Sequence, residues 1–380
     1  MITFANRLQT VQEYYFSTKL KEVRQLASEG NPIINMGIGS PDLLPPKEVL
    51  EAIQKSLTES GAHKYQSYQG LPEFRNAVAN FYKAKYNVSV NPDNEILPLM
   101  GSKEGIMHIS LAFLNEGDQV LIPNPGYPTY SSVTNLIGAK PVFYDLTAAN
   151  KWQPDFKQLE SLDLSGVKLM WVNYPHMPTG ADALKETYEQ LIAFGKKHHI
   201  IIANDNPYSF ILNNTPQSIL QVEGAKDIAL ELNSLSKTFN MAGWRVGKLL
   251  GNPHFLNEVL KVKTQMDSGM FYGIQKGAIK ALELGNDWFS EQNKIYKQRQ
   301  KLIFELADIL NCSYDSNASG MFVWAKLPNG KEAEAVVDDL LYNKHLFVAP
   351  GTIFGSQGEG YIRFSLCVPE TEIKEAITRF

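Results

Sequence analysis

Short apolar runs alternate with longer amphipathic stretches through the middle of the chain. Five runs predict strands, at residues 119–122, 167–172, 200–203, 228–232 and 246–250, and helical patterns such as 184–197 lie between several of them. Strands that are largely apolar and are separated by helices indicate a mostly parallel sheet covered on both faces. In α/β sheets of this kind, ligands bind at the carboxyl ends of the strands.

The pattern changes near residue 287. A long charged helical stretch at 290–306 is followed by two strand-like segments, 320–325 and 361–366. This order predicts a smaller α+β domain, and we expect the residues before about 44 to pack against it. We therefore predict a large domain over residues 45–285 and a small domain formed by residues 1–44 and 286–380, as suits a chain of 380 residues.

Composition narrows the class of protein. The chain is 44% hydrophobic and 20% charged, which is typical of soluble globular proteins. A net charge of −4 without a basic run argues against a nucleic-acid partner. No signal peptide and no bilayer-spanning stretch is apparent, so we expect no membrane partner and a cytoplasmic location. Two cysteines, Cys312 and Cys367, provide no disulfide framework and no metal cluster, and we expect no metal site.

Lys237 is the strongest chemical candidate. It follows the predicted strand 228–232 in a hydroxyl-rich turn with Ser234 and Ser236, eight residues before Arg245. A lysine amine can form a Schiff base with an aldehyde cofactor, while hydroxyls and a guanidinium can hold a phosphate on that cofactor. The competing interpretation is a surface lysine in a polar turn, and the combined spacing disfavours it.

Two further motifs fit an anionic, planar ligand. Gly101, Ser102 and Lys103 open an apolar helix, where free backbone N–H groups favour an anion; the alternative is an ordinary helix cap by Ser102. Tyr127 follows a strand and could stack on a planar ring, although turns of proline, glycine and an aromatic residue are common.

Polar residues also follow two other predicted strands. Asp205 lies at the end of the strand 200–203 and could pair with a protonated ring nitrogen, and Tyr208 could donate a hydrogen bond to a ring oxygen. An Asx turn would explain the same residues. Arg363 is a charged residue in an apolar strand pattern, which fits either a solvated strand face or an inward fork for a carboxylate.

Taken together in order and spacing, these motifs resemble the class I/II aminotransferases, which are fold type I enzymes dependent on pyridoxal 5′-phosphate (PLP). The resemblance extends from residues 36–42 to residues 361–364, nearly the whole chain. Segments 101–105, 225–227 and 267–271 look closest to the alanine-type and LL-diaminopimelate-type branch. The resemblance implies an α/β fold whose large domain holds a mostly parallel sheet of the seven-stranded type.

The resemblance also implies roles for individual residues. Lys237 would be the Schiff-base lysine and proton shuttle, Asp205 would keep the ring nitrogen protonated, and Tyr208 would contact the ring oxygen. Tyr127 would stack on the ring. The phosphate would be held by Gly101, Ser102, Lys103, Ser234, Ser236 and Arg245, with Tyr65 reaching it from the neighbouring subunit of a homodimer. The substrate carboxylate would be held by Gly39 and Arg363.

One position departs from the family pattern. Met177 stands where the family usually has the asparagine of an Asn-Pro-Thr-Gly motif, which bonds the ring oxygen and helps to orient the substrate. Methionine cannot donate that hydrogen bond. The ring oxygen would then depend on Tyr208, helped by Asn173, His176 or a water.

The function implied is an aminotransferase that moves an amino group between an amino acid and a 2-oxo acid by a ping-pong mechanism. A PLP-dependent lyase, such as a C–S lyase, and a non-catalytic regulatory protein on the same scaffold are the alternatives. The motifs leave the amino acid undefined. We expect side-chain selectivity to depend on the stretch around Tyr14, Tyr15 and Phe16 and on loops of the partner subunit.

Overall fold

The computed structural model describes residues 2–10 and 15–380. The strands, in chain order, are β1 (Ile34–Asn35), β2 (Ile96–Leu99), β3 (Gln119–Asn124), β4 (Lys140–Asp145), β5 (Val167–Asn173), β6 (Ile201–Asp205), β7 (Ala229–Ser234), β8 (Gly247–Gly251), β9 (Phe322–Lys326), β10 (Leu346–Phe347), β11 (Ala349–Pro350) and β12 (Tyr361–Ser365).

Helices surround these strands, and short 3₁₀ turns occur in several of the connecting loops. In chain order they are α1 (Tyr15–Ser28), α2 (Lys47–Ser56), α3 (Pro72–Tyr86), α4 (Ser102–Phe113), α5 (Thr129–Leu136), α6 (Phe156–Glu160), α7 (Lys185–His198), α8 (Leu235–Thr238), α9 (Pro253–Lys263), α10 (Tyr272–Leu282), α11 (Asn286–Ile309), α12 (Ala333–Lys344) and α13 (Glu370–Ile377). No helix in the described ranges is both long and apolar enough to cross a bilayer.

The central sheet has seven strands in the order β2-β8-β7-β6-β5-β3-β4. β8 is antiparallel to both of its neighbours, and the remaining pairs are parallel. The mostly parallel α/β sheet is therefore confirmed, and all five strands predicted in it are present. The sequence pattern missed β2 and β4, which lie at the two edges. β2 has only four residues and contains Pro98, which removes a hydrogen-bond donor, and β4 exposes Phe143, so each gives a weaker strand signal than a central strand.

Two apolar clusters cover the faces of this sheet. One contains Val120, Trp171 and Leu232 together with residues of α4 and α9. The other contains Met170 and Ile202 together with residues of α3, α7 and α10. Burial on both faces is why the central strands are largely apolar.

A third cluster is built around a smaller antiparallel sheet of order β11-β12-β9. α11, α12 and α13 contribute to it, and β1 pairs in parallel with β10, so residues before 44 return to this layer. Met177 and Tyr208, from loops of the central sheet, also belong to this cluster. The seam between the two layers therefore runs beside the carboxyl ends of β5 and β6, while the predicted domain bounds at 45 and 285 stay a prediction.

Candidate active site

Three neighbouring strands end in polar residues at the same edge of the central sheet. Asn173 ends β5 and lies opposite Asp205, the last residue of β6, while Ser234 ends the adjacent strand β7. Parallel strands bring their carboxyl ends together, so residues that are far apart in sequence meet here. Lys237 follows within α8, one helical turn beyond β7.

A cavity of about 380 Å³ opens at this edge. Most of the site residues predicted from the sequence line it: Gly39, Ser102, Lys103, Tyr127, Asn173, Asp205, Tyr208, Ser234, Ser236, Lys237, Arg245 and Arg363. The fold therefore brings residues from seven separate segments of the chain to one chamber. The chamber is large enough to count as a small-molecule pocket.

Gly101 and Tyr65 are the two predicted residues that do not line the cavity. Gly101 lies directly behind the wall, with φ at +94°, and a Cβ there would come 2.1 Å from Nη2 of Arg245. Glycine is thus needed for the close approach of the guanidinium. Tyr65 is 90% exposed and borders a separate hollow with Gly269 and Phe271.

One end of the cavity is suited to a phosphate. The N-terminus of α4 begins at Ser102, where unpaired backbone N–H groups point outward, and Arg245 lies against Gly101. Nη1 of Arg245 donates to the backbone oxygen of Ala242 at 2.8 Å, which holds the guanidinium in place. The Ser234 hydroxyl accepts from the backbone N–H of Ser236 at 3.1 Å and thereby shapes the turn that bears Lys237.

Asp205 is buried and has one oxygen available. Its Oδ2 accepts a hydrogen bond from the hydroxyl of Tyr130 at 3.1 Å, whereas Oδ1 has no hydrogen-bond partner among the described residues. Burial raises the pKa of the Asp205 carboxyl to about 7, and the Tyr130 hydrogen bond acts in the opposite direction. A cationic ring nitrogen beside Oδ1 would favour the ionised carboxylate.

Lys237 reaches across the cavity toward the N-terminal segment, where its Nζ donates to the backbone oxygen of Gly39. Burial lowers the pKa of the Lys237 amine, and the charges of Arg363 and Arg245 lower it further, while Cys367 acts against them. A larger fraction of the amine is therefore neutral than in an exposed lysine, and a neutral amine is the nucleophilic form.

Arg363 also lines the cavity, where apolar side chains pack against its guanidinium. Its guanidinium carbon lies 3.9 Å from the ring centroid of Phe322 and 4.6 Å from that of Phe354. Nη2 donates to the backbone oxygen of Gly37 at 2.8 Å, and Nη1 donates to Sδ of Met177 at 3.3 Å. Arg363 in β12 therefore points inward and not toward solvent, with 4% of its surface exposed.

Tyr127 and Tyr208, the two tyrosines expected to contact the cofactor ring, each pack against another aromatic side chain. Tyr127 meets Tyr130 edge to face at a centroid distance of 5.6 Å, and Tyr208 meets Phe322 in the same way at 5.9 Å. Burial raises the pKa of both the Tyr127 and the Tyr208 hydroxyls, so both stay protonated and able to donate at neutral pH.

The segment around Met177 explains how the chain accommodates its departure from the family pattern. Asn173 Nδ2 donates to the backbone oxygen of Asp205 at 2.5 Å, and Oδ1 accepts from the backbone N–H of Met177 at 2.8 Å. Both ring nitrogens of His176 also have partners, Thr179 at 2.8 Å and the Pro125 oxygen at 3.2 Å. His176 therefore has no ring nitrogen to offer the cavity, and burial lowers the pKa of its imidazole to about 3.

Several lining residues were not assigned a role from the sequence. Tyr130 follows Tyr127 by three residues and lies in the first turn of α5, and no local pattern indicates its contact with Asp205. The others are Ile38, Pro207, Ala242, Phe322 and Phe354. Phe322 and Phe354 have no local signal, because an inward phenylalanine in a strand or turn is the common state of any core residue. Of the N-terminal stretch expected to set selectivity, Tyr14 lies outside the described residues and Tyr15 begins α1.

The arrangement fits PLP in each of its parts. The Asp205 oxygen that lacks a partner among the described residues suits the pyridine nitrogen, the start of α4 with Arg245 suits the phosphate, and Lys237 lines the same cavity, where its amine would meet the aldehyde. The close packing of Gly247 supports the phosphate end, since a Cβ there would come 2.7 Å from the backbone nitrogen of Ser102.

Comparison with known proteins agrees with the fold and the site. Residues 31–380 match the family described as aminotransferase class I and II. An LL-diaminopimelate aminotransferase of Nitratidesulfovibrio vulgaris is 39% identical, with 99% of this chain and 97% of that protein covered. A second enzyme of that name, from Maridesulfovibrio salexigens, is 40% identical over 99% and 97% of the two chains.

Solved structures give the same result. The apo structure of BacF from Bacillus subtilis superposes with a TM-score of 0.95 at 34% identity, covering 100% of this chain and 98% of that one. An aminotransferase from Staphylococcus aureus superposes with a TM-score of 0.90 at 32% identity, covering 99% and 98%. A PLP-fitting pocket at the carboxyl edge of a mostly parallel sheet, on this fold, defines a fold type I transferase.

The chain belongs to the class I and II aminotransferase family. It is a PLP-dependent enzyme that moves an amino group between an amino acid and a 2-oxo acid. The family and function expected from the sequence are thereby confirmed.

Proposed function

We propose that Lys237 carries the chemistry of transamination in the cavity at the carboxyl edge of the central sheet. The observation that supports this most directly is that a half-buried lysine of lowered pKa shares one chamber with Asp205, whose Oδ1 has no partner among the described residues. When bound, PLP supplies an aldehyde carbon that takes up the amino group and a ring that accepts the electrons released at the substrate α-carbon.

Lys237 would hold the cofactor through its aldehyde carbon when no substrate is bound. Once the amino substrate had displaced it, its neutral amine could take the α-proton from the substrate and give a proton back, so one nitrogen would serve as base and acid in turn. The Gly39 oxygen holds the lysine on the side of the cavity that faces the N-terminal segment. Orientation of this kind converts a slow intermolecular step into a fast intramolecular one.

The remaining residues of the cavity would hold the cofactor and polarise its ring. Asp205 would offer Oδ1 to the ring nitrogen and keep that nitrogen charged, and Tyr208 would donate to the ring oxygen. Tyr127 would stack on the ring. The phosphate would be held by the start of α4 and by Gly101, Ser102, Lys103, Ser234, Ser236 and Arg245. Asn173 supports the ring side of the cavity by fixing the Met177 backbone.

Arg363 and Gly39 hold the substrate α-carboxylate. The guanidinium presents a planar fork in an apolar enclosure. Few water molecules can solvate a carboxylate there, so two parallel hydrogen bonds from the guanidinium would stabilise the bound carboxylate strongly. Gly39 permits this enclosure, because a Cβ there would come 2.3 Å from the Phe322 ring.

We further propose a homodimer in which each subunit completes the partner's site through Tyr65. In its own subunit the Tyr65 side chain is almost fully exposed and is absent from the active-site lining. An exposed tyrosine beside the exposed Phe271 is typical of an interface and costly on a free surface.

Mixed dimers test this arrangement. Tyr65→Ala and Lys237→Ala subunits are each expected to be impaired as homodimers. If Tyr65 acts across the interface, a mixed dimer contains one site with both native residues and recovers activity to about half that of the wild type. Activity no higher than that of the Tyr65→Ala homodimer would show that Tyr65 acts within its own subunit.

The function itself is tested by the two half reactions. PLP-loaded protein is mixed with a panel of amino acids, and the change in cofactor absorbance is followed before and after a 2-oxo acid is added. An aminotransferase reacts once without the 2-oxo acid and turns over with it, whereas a C–S lyase turns over without it. The relatives named for LL-diaminopimelate place that compound in the panel.

A further inference from the structure

The side chain of His176 joins two loops at the carboxyl edge of the central sheet. One loop, residues 174–181, follows β5, and the other, residues 125–128, follows β3. His176 Nε2 lies 3.2 Å from the backbone oxygen of Pro125, and Nδ1 lies 2.8 Å from Oγ1 of Thr179. All three residues are buried. A side chain of one loop therefore holds the backbone of the other.

The partners of His176 define which ring nitrogen carries the hydrogen. The Pro125 oxygen can only accept, so Nε2 must be the donor. Nδ1 is then an acceptor and receives the hydrogen of the Thr179 hydroxyl, whose oxygen still accepts from the backbone N–H of Ala181 at 3.3 Å. Burial lowers the pKa of the His176 imidazole to about 3, so the neutral ring is the form present at neutral pH.

The loop that bears His176 is closed on itself and anchored. The His176 backbone N–H donates to the Ala181 oxygen at 2.7 Å, and the Gly180 N–H donates to the His176 oxygen at 2.6 Å. The Gly180 oxygen accepts from the backbone N–H of Ser319 at 2.8 Å, which joins this loop to the segment before β9. His176 is therefore a fixed support for the backbone that its ring contacts.

The backbone that His176 supports leads directly to Tyr127. Pro125 stands two residues before Tyr127, which lines the cavity. Between them, the Gly126 N–H donates to the backbone oxygen of Phe354 at 2.7 Å, so the turn is held from two sides. The turn is also tight, since a Cβ at Gly126 would come 2.4 Å from the Pro123 oxygen. A shift of the Pro125 backbone would therefore be passed on to the Tyr127 ring.

Tyr127 is close to the residues expected to hold the cofactor ring. Its ring meets that of Tyr130 edge to face at 5.6 Å, and the Tyr130 hydroxyl donates to Asp205. A planar ring bound beside Asp205 would thus lie within reach of Tyr127. Aromatic stacking depends on the offset and the angle between the rings, so the placement of Tyr127 would affect how strongly the cofactor is bound.

We infer that His176 is a positioning residue for the cofactor, which holds the turn of Tyr127 against the loop after β5 and so fixes the Tyr127 ring for stacking. The inference rests on the proposed stacking role of Tyr127. It extends that role to a residue that is not among those lining the cavity. A wall that is ordered before the ligand arrives favours binding, because less conformational freedom is lost on association.

His176→Phe tests the link between the two loops. Phenylalanine keeps a planar ring but can neither donate to Pro125 nor accept from Thr179. Cofactor-free protein titrated with PLP is expected to bind about three- to tenfold more weakly. The induced circular dichroism of bound PLP, which reports its fixed asymmetric surroundings, should also decrease. Affinity and dichroism equal to those of the wild type would overturn the inference.

His176→Gln is the conservative variant that should recover most of both signals. Its amide nitrogen can donate to the Pro125 oxygen, and its amide oxygen can accept from the Thr179 hydroxyl. A loss in His176→Gln as large as that in His176→Phe would overturn a role based on these two hydrogen bonds.

A double-mutant cycle with Tyr127→Ala separates positioning from a general loss of structure. If His176 acts through Tyr127, His176→Phe should weaken PLP binding by less than about twofold once residue 127 is alanine. Additive losses would overturn the inference and leave stacking by Tyr127 in place. If Tyr127→Ala alone leaves PLP affinity unchanged, the stacking role and the inference both fail, whereas attachment of PLP to Lys237 is measured separately by borohydride reduction.

Tyr174→Phe is the matched control. Tyr174 is buried in the same loop, and its hydroxyl donates to the Trp152 backbone oxygen at 2.7 Å, outside the turn of Tyr127. This variant should lower the free energy of unfolding without changing PLP affinity or dichroism, and a loss of affinity equal to that of His176→Phe would overturn the inference. If His176→Phe does not fold, Thr179→Val removes the hydroxyl that fixes the histidine tautomer. Weaker PLP binding that disappears in the Tyr127→Ala background would then support the inference, and unchanged binding would overturn it.

Discussion

The hydroxyl of Tyr130 donates a hydrogen bond of 3.1 Å to Oδ2 of Asp205, and Oδ1 of the same carboxylate has no such partner among the described residues. The Tyr130 ring is stacked on Trp171, with ring centroids 4.9 Å apart and an angle of 5° between planes. Stacking on Trp171 restricts the Tyr130 ring, and the Tyr130 hydroxyl occupies Oδ2 of Asp205, which leaves Oδ1 for the pyridine nitrogen of the proposed site. In that proposal Tyr130 acts through Asp205 as a positioning residue.

Tyr130→Phe is expected to weaken PLP binding. The variant keeps the ring on Trp171 but removes a hydrogen bond worth about 0.5–1.5 kcal/mol, equivalent to a two- to tenfold loss of affinity. Loss of the donor also raises the pKa of Asp205, so the acidic limb of the pH profile for PLP binding should move to higher pH. Fluorescence titration with PLP across pH measures both effects.

Tyr144→Phe is the matched control for this change. Tyr144 is also buried, and its hydroxyl donates to the backbone oxygen of Trp171 at 2.7 Å, away from Asp205. Its removal should lower the free energy of unfolding by a similar amount without moving the pH profile. Equal shifts of the profile in the two variants would refute a positioning role for Tyr130.

Asp205 should also affect the stability of the cofactor-free protein. Its pKa is raised to about 7 by burial, above about 3.9 in the unfolded chain. The resulting stabilisation is complete below about pH 4 and is lost as pH rises through 7, an effect on the order of 4 kcal/mol. Relative to Asp205→Asn, the unfolding free energy of the cofactor-free wild type should therefore fall between pH 5 and pH 8, as measured by urea denaturation.

Adding PLP should reverse that comparison. A protonated ring nitrogen beside Oδ1 favours the charged carboxylate, so the wild type should gain more stability from PLP at pH 8 than Asp205→Asn does. A cofactor-free difference that does not vary with pH would show that Asp205 titrates as an ordinary exposed carboxylate.

Lys237→Ala should abolish transamination while the protein remains folded. The variant loses the covalent anchor and the base together, and loss of a positioned general base alone typically costs 10²–10⁴-fold in rate. Borohydride reduction followed by mass spectrometry should no longer find PLP attached to the protein. Lys103→Ala is the control, since its PLP should still become attached; near-normal turnover by Lys237→Ala would disprove the assignment.

Arg363→Lys should distinguish a bidentate clamp from a simple positive charge. Lysine keeps the charge but loses the planar fork and its contact with the Phe322 and Phe354 rings. Losing a hydrogen bond to a charged group is worth about 1.5–3 kcal/mol, so amino acids should bind at least tenfold more weakly. Amines without a carboxylate should react at nearly unchanged rates, and an equal loss for both would show that Arg363 does not hold the carboxylate.

Much of the fold could be read from local patterns. The central strands β3, β5, β6, β7 and β8 are largely apolar because both of their faces are buried. The edge strands β2 and β4 were missed because an edge tolerates Pro98 in one and an exposed Phe143 in the other.

The sequence by itself determined the polar groups at the strand ends, namely Asp205, Ser234 and Lys237, since each follows a strand whose pattern is local. Only the tertiary structure decided which groups surround them. The Tyr130–Asp205 contact joins residues 75 positions apart, and the Met177–Arg363 contact joins residues 186 apart. Such pairs depend on how helices and strands from distant segments pack, and no periodicity within one segment encodes that distance.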